Sequence, residues 1–356
     1  MSIFWEQIRK ARDYAEKICD EAVAGRSVVL SFPDGIPWCE ELYIAVEDLL
    51  LRRSCNYAFR QLEDDSSPLD SLLLENFCRR ELRAQYRQNI GVARFLSRHS
   101  ESTLHSTYVW VRISSGERLQ QWLSFASEYS SLMPQGEDRA SFIFVVEGLE
   151  TVLRTRGISI LEWRQAIDAY DVYTFCALVS SETDISPVLR PYLVELSSRL
   201  CENDVELARA CVLEGKAFLS EPEKTLMDLV AFTRRSNGEA FRFAFDHEEC
   251  VSLIWEAQIR CLFAILEKYR SAFVRSHRAE ICACLPISDG YGQLITEPNE
   301  LELGQLIYLV GDRRLYISQD EYDTLDFHRH ARNELAHMNI LPFEEVKKLL
   351  TLRNTL

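Results

Sequence analysis

The residue types best suited to chemistry lie close together near the C-terminal end of the sequence, in residues 327–337 (FHRHARNELAH). On a helix with about 100° per residue, Arg332, Asn333, Ala336 and His337 fall within an arc of about 140°. One face would then present a fixed cation, an amide and a group that titrates near neutrality. The spacing therefore predicts acid–base chemistry on a substrate that carries negative charge.

This combination suits the cleavage of RNA without a metal ion. The 2′-hydroxyl must attack the adjacent phosphate, which requires a proton acceptor and a cation for the charge of the phosphorane. A histidine with an ordinary pKa of about 6.5 fits the first role, and the planar donor fork of arginine fits the second. We expect His337 to act as general acid/base, Arg332 to stabilise the phosphorane and Asn333 to orient either group.

The R-x4-H spacing, with a polar residue after the arginine, resembles the HEPN ribonuclease family. The resemblance covers residues 245–356, where residues 254–263 and 302–306 each open an amphipathic helix and residues 343–350 complete an up-and-down bundle. It implies RNA as the substrate and a homodimer in which two R-x4-H helices share one cleft, with no metal or cofactor. His328 and His330 flank the motif, and we expect both at the surface.

The first half of the sequence has a different pattern. Apolar runs at residues 27–32, 108–113 and 141–146, with a further candidate at 172–179, alternate with helical segments. This alternation predicts an α/β domain with a parallel sheet over residues 1–185. The rest is predicted to be all-α, with a helical connector at 186–244 and a HEPN-like helical bundle at 245–356.

The order of strand, loop and helix at the start of this α/β domain resembles the P-loop ATPases, particularly their AAA-like and signal-transducing branches. In that family the loop reads G-x-x-x-x-G-K-[ST], because backbone N–H groups and the lysine hold the phosphates. Residues 32–38 here read FPDGIPW, with one glycine, two prolines, Asp34 and no lysine. We expect a degenerate site that does not bind ATP tightly, and we expect Glu147 to be a solvated carboxylate at a strand end.

Composition limits the kinds of function that fit. The 356 residues are 47% hydrophobic and 27% charged, which is typical of a globular protein with two domains. A net charge of −15 argues against a broad cationic surface for duplex DNA, so any nucleic-acid site must be local. Eleven scattered cysteines lack zinc-site spacing, and no run approaches the roughly 18 apolar residues of a membrane span. We expect a cytoplasmic protein with reduced thiols.

These patterns favour a HEPN-type, metal-independent endoribonuclease regulated by an N-terminal sensor or docking domain, which could bind a protein partner. By analogy, such a combination suits antiphage defence or a toxin-like stress response. A non-catalytic dimerising scaffold, or an accessory subunit of a larger defence complex, is the alternative, since a histidine near a helix end can simply complement the helix dipole. A working ATPase is a third possibility.

Overall fold

The computed structural model of the chain describes residues 3–33, 35–65, 67–99, 101–113, 115–133, 138–148, 155–163, 166–241, 243–244, 246–288 and 292–352. The chain forms two compact units, Met1–Phe175 with Arg234–Arg242, and Cys176–Thr233 with Phe243–Leu356. Their bounds differ from the three predicted segments, because the helices of the predicted connector belong to the second unit and residues 234–242 belong to the first.

The first unit is built on a parallel sheet, as the sequence predicts, and the sheet has five strands in the order β2-β3-β4-β1-β5, of which β2 and β5 were not predicted. The strands are β1 (Ser27–Phe32), β2 (Ala58–Glu63), β3 (Thr107–Ile113), β4 (Ser141–Glu147) and β5 (Ile158–Glu162). The helices are α1 (Ile3–Gln7), α2 (Arg9–Val23), α3 (Cys39–Arg53), α4 (Leu69–Phe77), α5 (Arg80–Arg83), α6 (Val92–Arg98), α7 (Gly116–Leu132) and the start of α8 (Ala169–Ser180).

The central strands are apolar because both faces of the sheet are covered. Every residue of β1 is buried. Val29 faces a core formed with α4, α6 and α7, and on the other face Trp110 of β3 contacts Tyr43 of α3, with ring centroids 5.6 Å apart. The strand order places β1 between β4 and β5.

The strand predicted at residues 172–179 is wrong, because these residues lie within α8. Their buried members are Val172, Phe175, Cys176 and Val179. This spacing of three and four residues is the period of a helix that buries one face, and not the period of a strand.

The second unit consists mainly of helices, which confirms the predicted all-α character of the C-terminal part. Its elements after α8 are α9 (Arg190–Leu200), α10 (Val205–Glu214), α11 (Lys216–Ser220), α12 (Pro222–Phe232), α13 (His247–Ser276), α14 (Arg278–Cys284), β6 (Ile287–Ser288), β7 (Leu294–Ile295), α15 (Leu303–Gly311), α16 (Gln319–Ala336) and α17 (Phe343–Leu352).

Helix α13 organises this unit. Its 30 residues span about 45 Å, and it packs against α9, α16 and α17. An apolar core joins its C-terminal half to α14, α15 and α16. Within the described ranges, no helix is long and apolar enough to cross a bilayer.

Candidate functional site

Helix α16 carries the R-x4-H residues and has a clear beginning and end. Ser318 and Glu321 form a capping box at its N-terminus. At its C-terminus the N–H of Asn339 donates to the carbonyl of Glu334 at 2.9 Å, and that of Met338 donates to the carbonyl of Leu335 at 3.3 Å, with Met338 at φ 61°. This pair of bonds is a Schellman motif, which fixes where the helix stops.

The structure places the three predicted site residues at this end of α16. His337 is the C-cap residue and is exposed, while Asn333 is partly buried. Arg332 is 37% exposed, and its Nη2 donates to Oε2 of Glu302 at 3.3 Å. Among the described residues, the His337 imidazole has no hydrogen-bond partner. His337 therefore faces solvent, while Arg332 and Asn333 are partly exposed. Nothing in the sequence pattern indicated the carboxylate beside Arg332.

The prediction for the flanking histidines is half right. His330 is on the surface, 3.8 Å from Glu345. His328 is buried, against expectation, because it lies on the same face of α16 as Leu325 and Leu335. Its ring stacks on Tyr269 with centroids 3.6 Å apart, so it cannot reach a phosphate.

Neutral His328 is part of the core. Its Nδ1 donates to the carbonyl of Thr324 at 2.7 Å, and its buried Nε2 has no partner within the described part of the chain. Burial lowers the pKa of the His328 imidazole, against the opposing effect of the Thr324 bond. The same burial raises the pKa of Tyr269 to about 12.

Two side chains of α13 hold the backbone on either side of the helix end. Trp255 Nε1 donates to the carbonyl of Leu335 at 2.7 Å. Gln258 accepts from the N–H of Leu341 at 2.7 Å and donates to its carbonyl at 2.9 Å. The sequence contained one sign of this role, since Gln258 is a polar residue on an apolar stripe that includes Ile254, Leu262 and Ile265.

A second candidate site lies in the α/β unit, at the carboxyl ends of β1 and β4. The chain continues from β1 to β2 at one edge of the sheet and from β4 to β5 at the other edge, and such a reversal of strand order is where open α/β sheets bind ligands. Pro33 and Pro37 have no N–H. The N–H groups of Gly35, Ile36 and Trp38 donate to Phe32 O, Glu147 Oε2 and Ser236 Oγ at 3.2, 3.5 and 3.0 Å. No backbone N–H is left for a phosphate among residues 33 and 35–38; Asp34 lies outside the described residues.

A short hairpin of the chain itself covers this crevice. It comprises residues 234–240, which form one antiparallel bridge and a turn closed by Gly238. Asn237 Nδ2 donates to Glu147 Oε2 at 3.1 Å and lies 3.5 Å from the place a Cβ on Gly35 would occupy. Gly35 has φ +86°, a backbone conformation that favours glycine, whereas Asn237 would be in ordinary contact with a Cβ at this position.

Glu147 is not the solvated carboxylate that the sequence suggested. Its side chain is 23% exposed, and besides Asn237 and Ile36 it binds Arg112 Nη2 at 3.1 Å. The carboxylate thus joins the ends of β3 and β4, the loop after β1 and the 234–240 hairpin. Its acceptor capacity is used within the unit.

No metal centre is evident in the described ranges, where no group of three or more His, Cys, Asp or Glu is placed to hold an ion. The eleven cysteines, all within the described ranges, form no disulfide. Cys282 is exposed and Cys284 is buried, so this close pair does not present two ligands in one place.

No protein-family model matches this sequence, and no curated protein matches it. Among solved structures, the chain is similar to one in "Structure of Drosophila ORC bound to DNA", with TM-score 0.40 and 13% identity over 70% of this chain and 82% of that chain. RIF2 of Saccharomyces cerevisiae is similar with TM-score 0.31 and 10% identity, over 67% of this chain and 92% of that chain. PCH-2 of C. elegans is similar with TM-score 0.28 and 13% identity, over 70% of this chain and 65% of that chain. Scores and identities this low support no conclusion about activity or partners.

Proposed function

We propose that the chain is a HEPN-type, metal-independent endoribonuclease whose centre comprises Arg332, Asn333 and His337. The observation that carries the proposal is the exposure of His337 at the capped end of α16, beside the partly exposed Arg332 and Asn333, with its imidazole free of hydrogen bonds among the described residues. A histidine kept only for packing would resemble His328, which is buried and bonded.

In this proposal, His337 removes the proton of a 2′-hydroxyl, the 2′-oxygen bonds to phosphorus and the bond to the 5′-oxygen breaks. The products are a 2′,3′-cyclic phosphate and a 5′-hydroxyl, and the leaving oxygen takes up a proton from a protonated histidine. A homodimer would supply a second His337 for that step and a second Arg332 for the phosphorane. Asn333 orients the phosphate or the imidazole.

The test compares wild type with His337→Ala on labelled transfer RNA and messenger RNA in buffer with a chelator. We expect wild type to leave 2′,3′-cyclic ends and His337→Ala to be slower by about 10²- to 10⁴-fold. His330→Ala is the matched control, because His330 is exposed on the same helix but lies outside the constellation. Cleavage that His337→Ala retains, or that the chelator abolishes, would contradict the proposal.

The α/β unit is proposed as a sensor or docking domain that restrains the ribonuclease, in antiphage defence or a toxin-like stress response. Its support is the crevice at β1 and β4, where residues 33 and 35–38 offer no backbone N–H to a phosphate. Expression in bacteria tests the setting. Wild type should arrest growth and deplete RNA, and His337→Ala should do neither.

A non-catalytic scaffold is the second candidate. It is favoured by the ion pair between Arg332 and Glu302, which compensates the cation within the chain. Wild type and His337→Ala that are equally inert, equally folded and equally dimeric would favour this function over the ribonuclease.

A further inference from the structure

We propose that Trp255 and Gln258 are positioning residues for the R-x4-H centre, fixing His337 from both sides. This inference rests on the proposed function for its catalytic consequence, but its structural part can be tested without any RNA. Both residues lie on α13, three positions apart and therefore on one face of that helix.

Gln258 makes the more specific contact. The residue is 2% exposed, and its amide oxygen and nitrogen pair with the N–H and carbonyl of the same residue, Leu341. Its nitrogen also donates to the hydroxyl of Tyr192 at 3.3 Å. Two bonds to the backbone of one residue fix both the distance and the orientation of Leu341 relative to the Gln258 amide. An amide side chain has the donor and the acceptor that this requires.

Trp255 fixes the other side. Its bond to the Leu335 carbonyl reaches the last turn of α16, where the same carbonyl also accepts from Met338 N–H in the Schellman motif. Residues 336–340 between the two anchors are all exposed, and His337 is among them. The exposed segment is thus short, and both of its ends are bound to α13.

This arrangement matters for chemistry because reaction rates depend steeply on placement. A displacement of about 1 Å can lower a rate by about 10²-fold. Gln258 is buried and does not reach the surface, and the indole N–H of Trp255 is already bonded to the Leu335 carbonyl. We therefore expect both residues to act through the position of His337 relative to Arg332.

Gln258→Glu and Trp255→Phe are the informative variants of the full chain. The first keeps an acceptor for Leu341 N–H but turns the donor to its carbonyl into a second acceptor; the second removes one N–H and keeps an aromatic ring. We expect kcat to fall by about 10- to 100-fold while KM changes by less than about threefold. Glu195→Gln is the control, because it disturbs a buried acceptor on α9, which also packs against α13, without touching Leu335 or Leu341.

The second measurement is the NMR chemical shift of the histidine ring protons in each variant, which reports the surroundings of each ring. Gln258→Glu and Trp255→Phe should move the ring signals of His337 and speed amide exchange at Leu341, with the ring signals of His330 unchanged. Glu195→Gln should leave the His337 signals as in wild type. Unchanged His337 signals in both variants, or cleavage at the wild-type kcat, would overturn the inference. If wild type cleaves no RNA, the proposed function fails and the chemical shifts alone decide the positioning role.

Discussion

The polar groups in the crevice of the α/β unit and those at the end of α16 differ in how far they are hydrogen-bonded within the chain. In the crevice, the backbone donors of Gly35, Ile36 and Trp38 are bonded within the unit, and Glu147 has three partners. At the helix end, His337 faces solvent and Arg332 has one exposed ion pair. The crevice therefore retains the geometry of a ligand site with its groups already satisfied, whereas the helix end retains groups able to act on something else.

The largest expected difference between the two units is in the stability lost when a buried or an exposed ion pair is broken. Arg118 donates through Nε and Nη2 to Asp64 at 2.8 and 2.6 Å, and the two side chains are 9% and 0% exposed. Asp64→Ala leaves a buried guanidinium unpaired, so we expect the α/β unit to lose about 3–5 kcal/mol. Glu302→Ala, which removes an exposed partner and the capping side chain of α15, should cost about 0.5–2 kcal/mol.

Native-state hydrogen exchange measures both, since it reports each unit separately. The relevant amides are those of β3 for Asp64→Ala and those of α15 for Glu302→Ala. Equal losses in the two variants would mean that the burial of the Asp64 pair has no special consequence.

The next largest effect is expected when the contact between the 234–240 hairpin and Glu147 is removed. Asn237→Ala removes one bond to the Glu147 carboxylate, and we expect it to destabilise the unit by about 1 kcal/mol. ATP with Mg²⁺ should still not bind, because the N–H groups of Ile36 and Trp38 remain engaged and two prolines have none. Equilibrium dialysis of wild type and Asn237→Ala measures this. Micromolar binding by Asn237→Ala, or ATP hydrolysis that Glu147→Gln abolishes, would make the crevice a nucleotide site.

The parts of the fold that the sequence predicted are those where local pattern and burial agree. β1, β3 and β4 are apolar because both faces are covered, so each appears as a continuous run. β2 lies at a sheet edge, and only Leu62 of its six residues is buried. Such a strand has little apolar signal, which is why it was missed.

The candidate site likewise has features that follow from local sequence and features that depend on distant residues. Arg332, Asn333 and His337 were found because helical spacing is a local property. The contacts that distinguish them depend on residues distant in sequence: Glu302 beside Arg332, and Gln258 on Leu341, 83 positions away. The burial of His328 likewise follows from Tyr269 on another helix.

His328 predicts how the helical unit responds to acid. Its pKa in the folded chain is below the ordinary value of 6.5, so below that pH the unfolded chain binds a proton that the folded chain does not. Stability contributed by neutral His328 is therefore present above pH 6.5 and lost as the pH falls toward the folded pKa. Lys348, on neighbouring α17, acts in the same direction.

Thermal unfolding of wild type and His328→Phe between pH 7.5 and 5 measures this effect. Phenylalanine keeps a ring to stack on Tyr269 and cannot take up a proton, so we expect the variant to lose less stability on acidification. His330→Phe is the control. The same pH dependence in wild type and His328→Phe would show that other groups control the response.

Glu302→Gln should have the smallest effect, and it tests whether the Arg332 guanidinium is available to RNA while it is paired with Glu302. Glutamine keeps an acceptor for the first turn of α15, where Glu302 is the capping residue, but removes the charge from the side of Arg332. An exposed ion pair is worth about 0–1 kcal/mol, which corresponds to a rise of up to about fivefold in kcat/KM for RNA. Glu300→Gln is the control for net charge. A rise in kcat/KM with Glu302→Gln but not with Glu300→Gln means that the Glu302 carboxylate competes with RNA for Arg332. A fall in kcat/KM means that Glu302 holds the guanidinium where the reaction needs it. The polar groups at the helix end would then be positioned by contacts within the chain, as those of the crevice are.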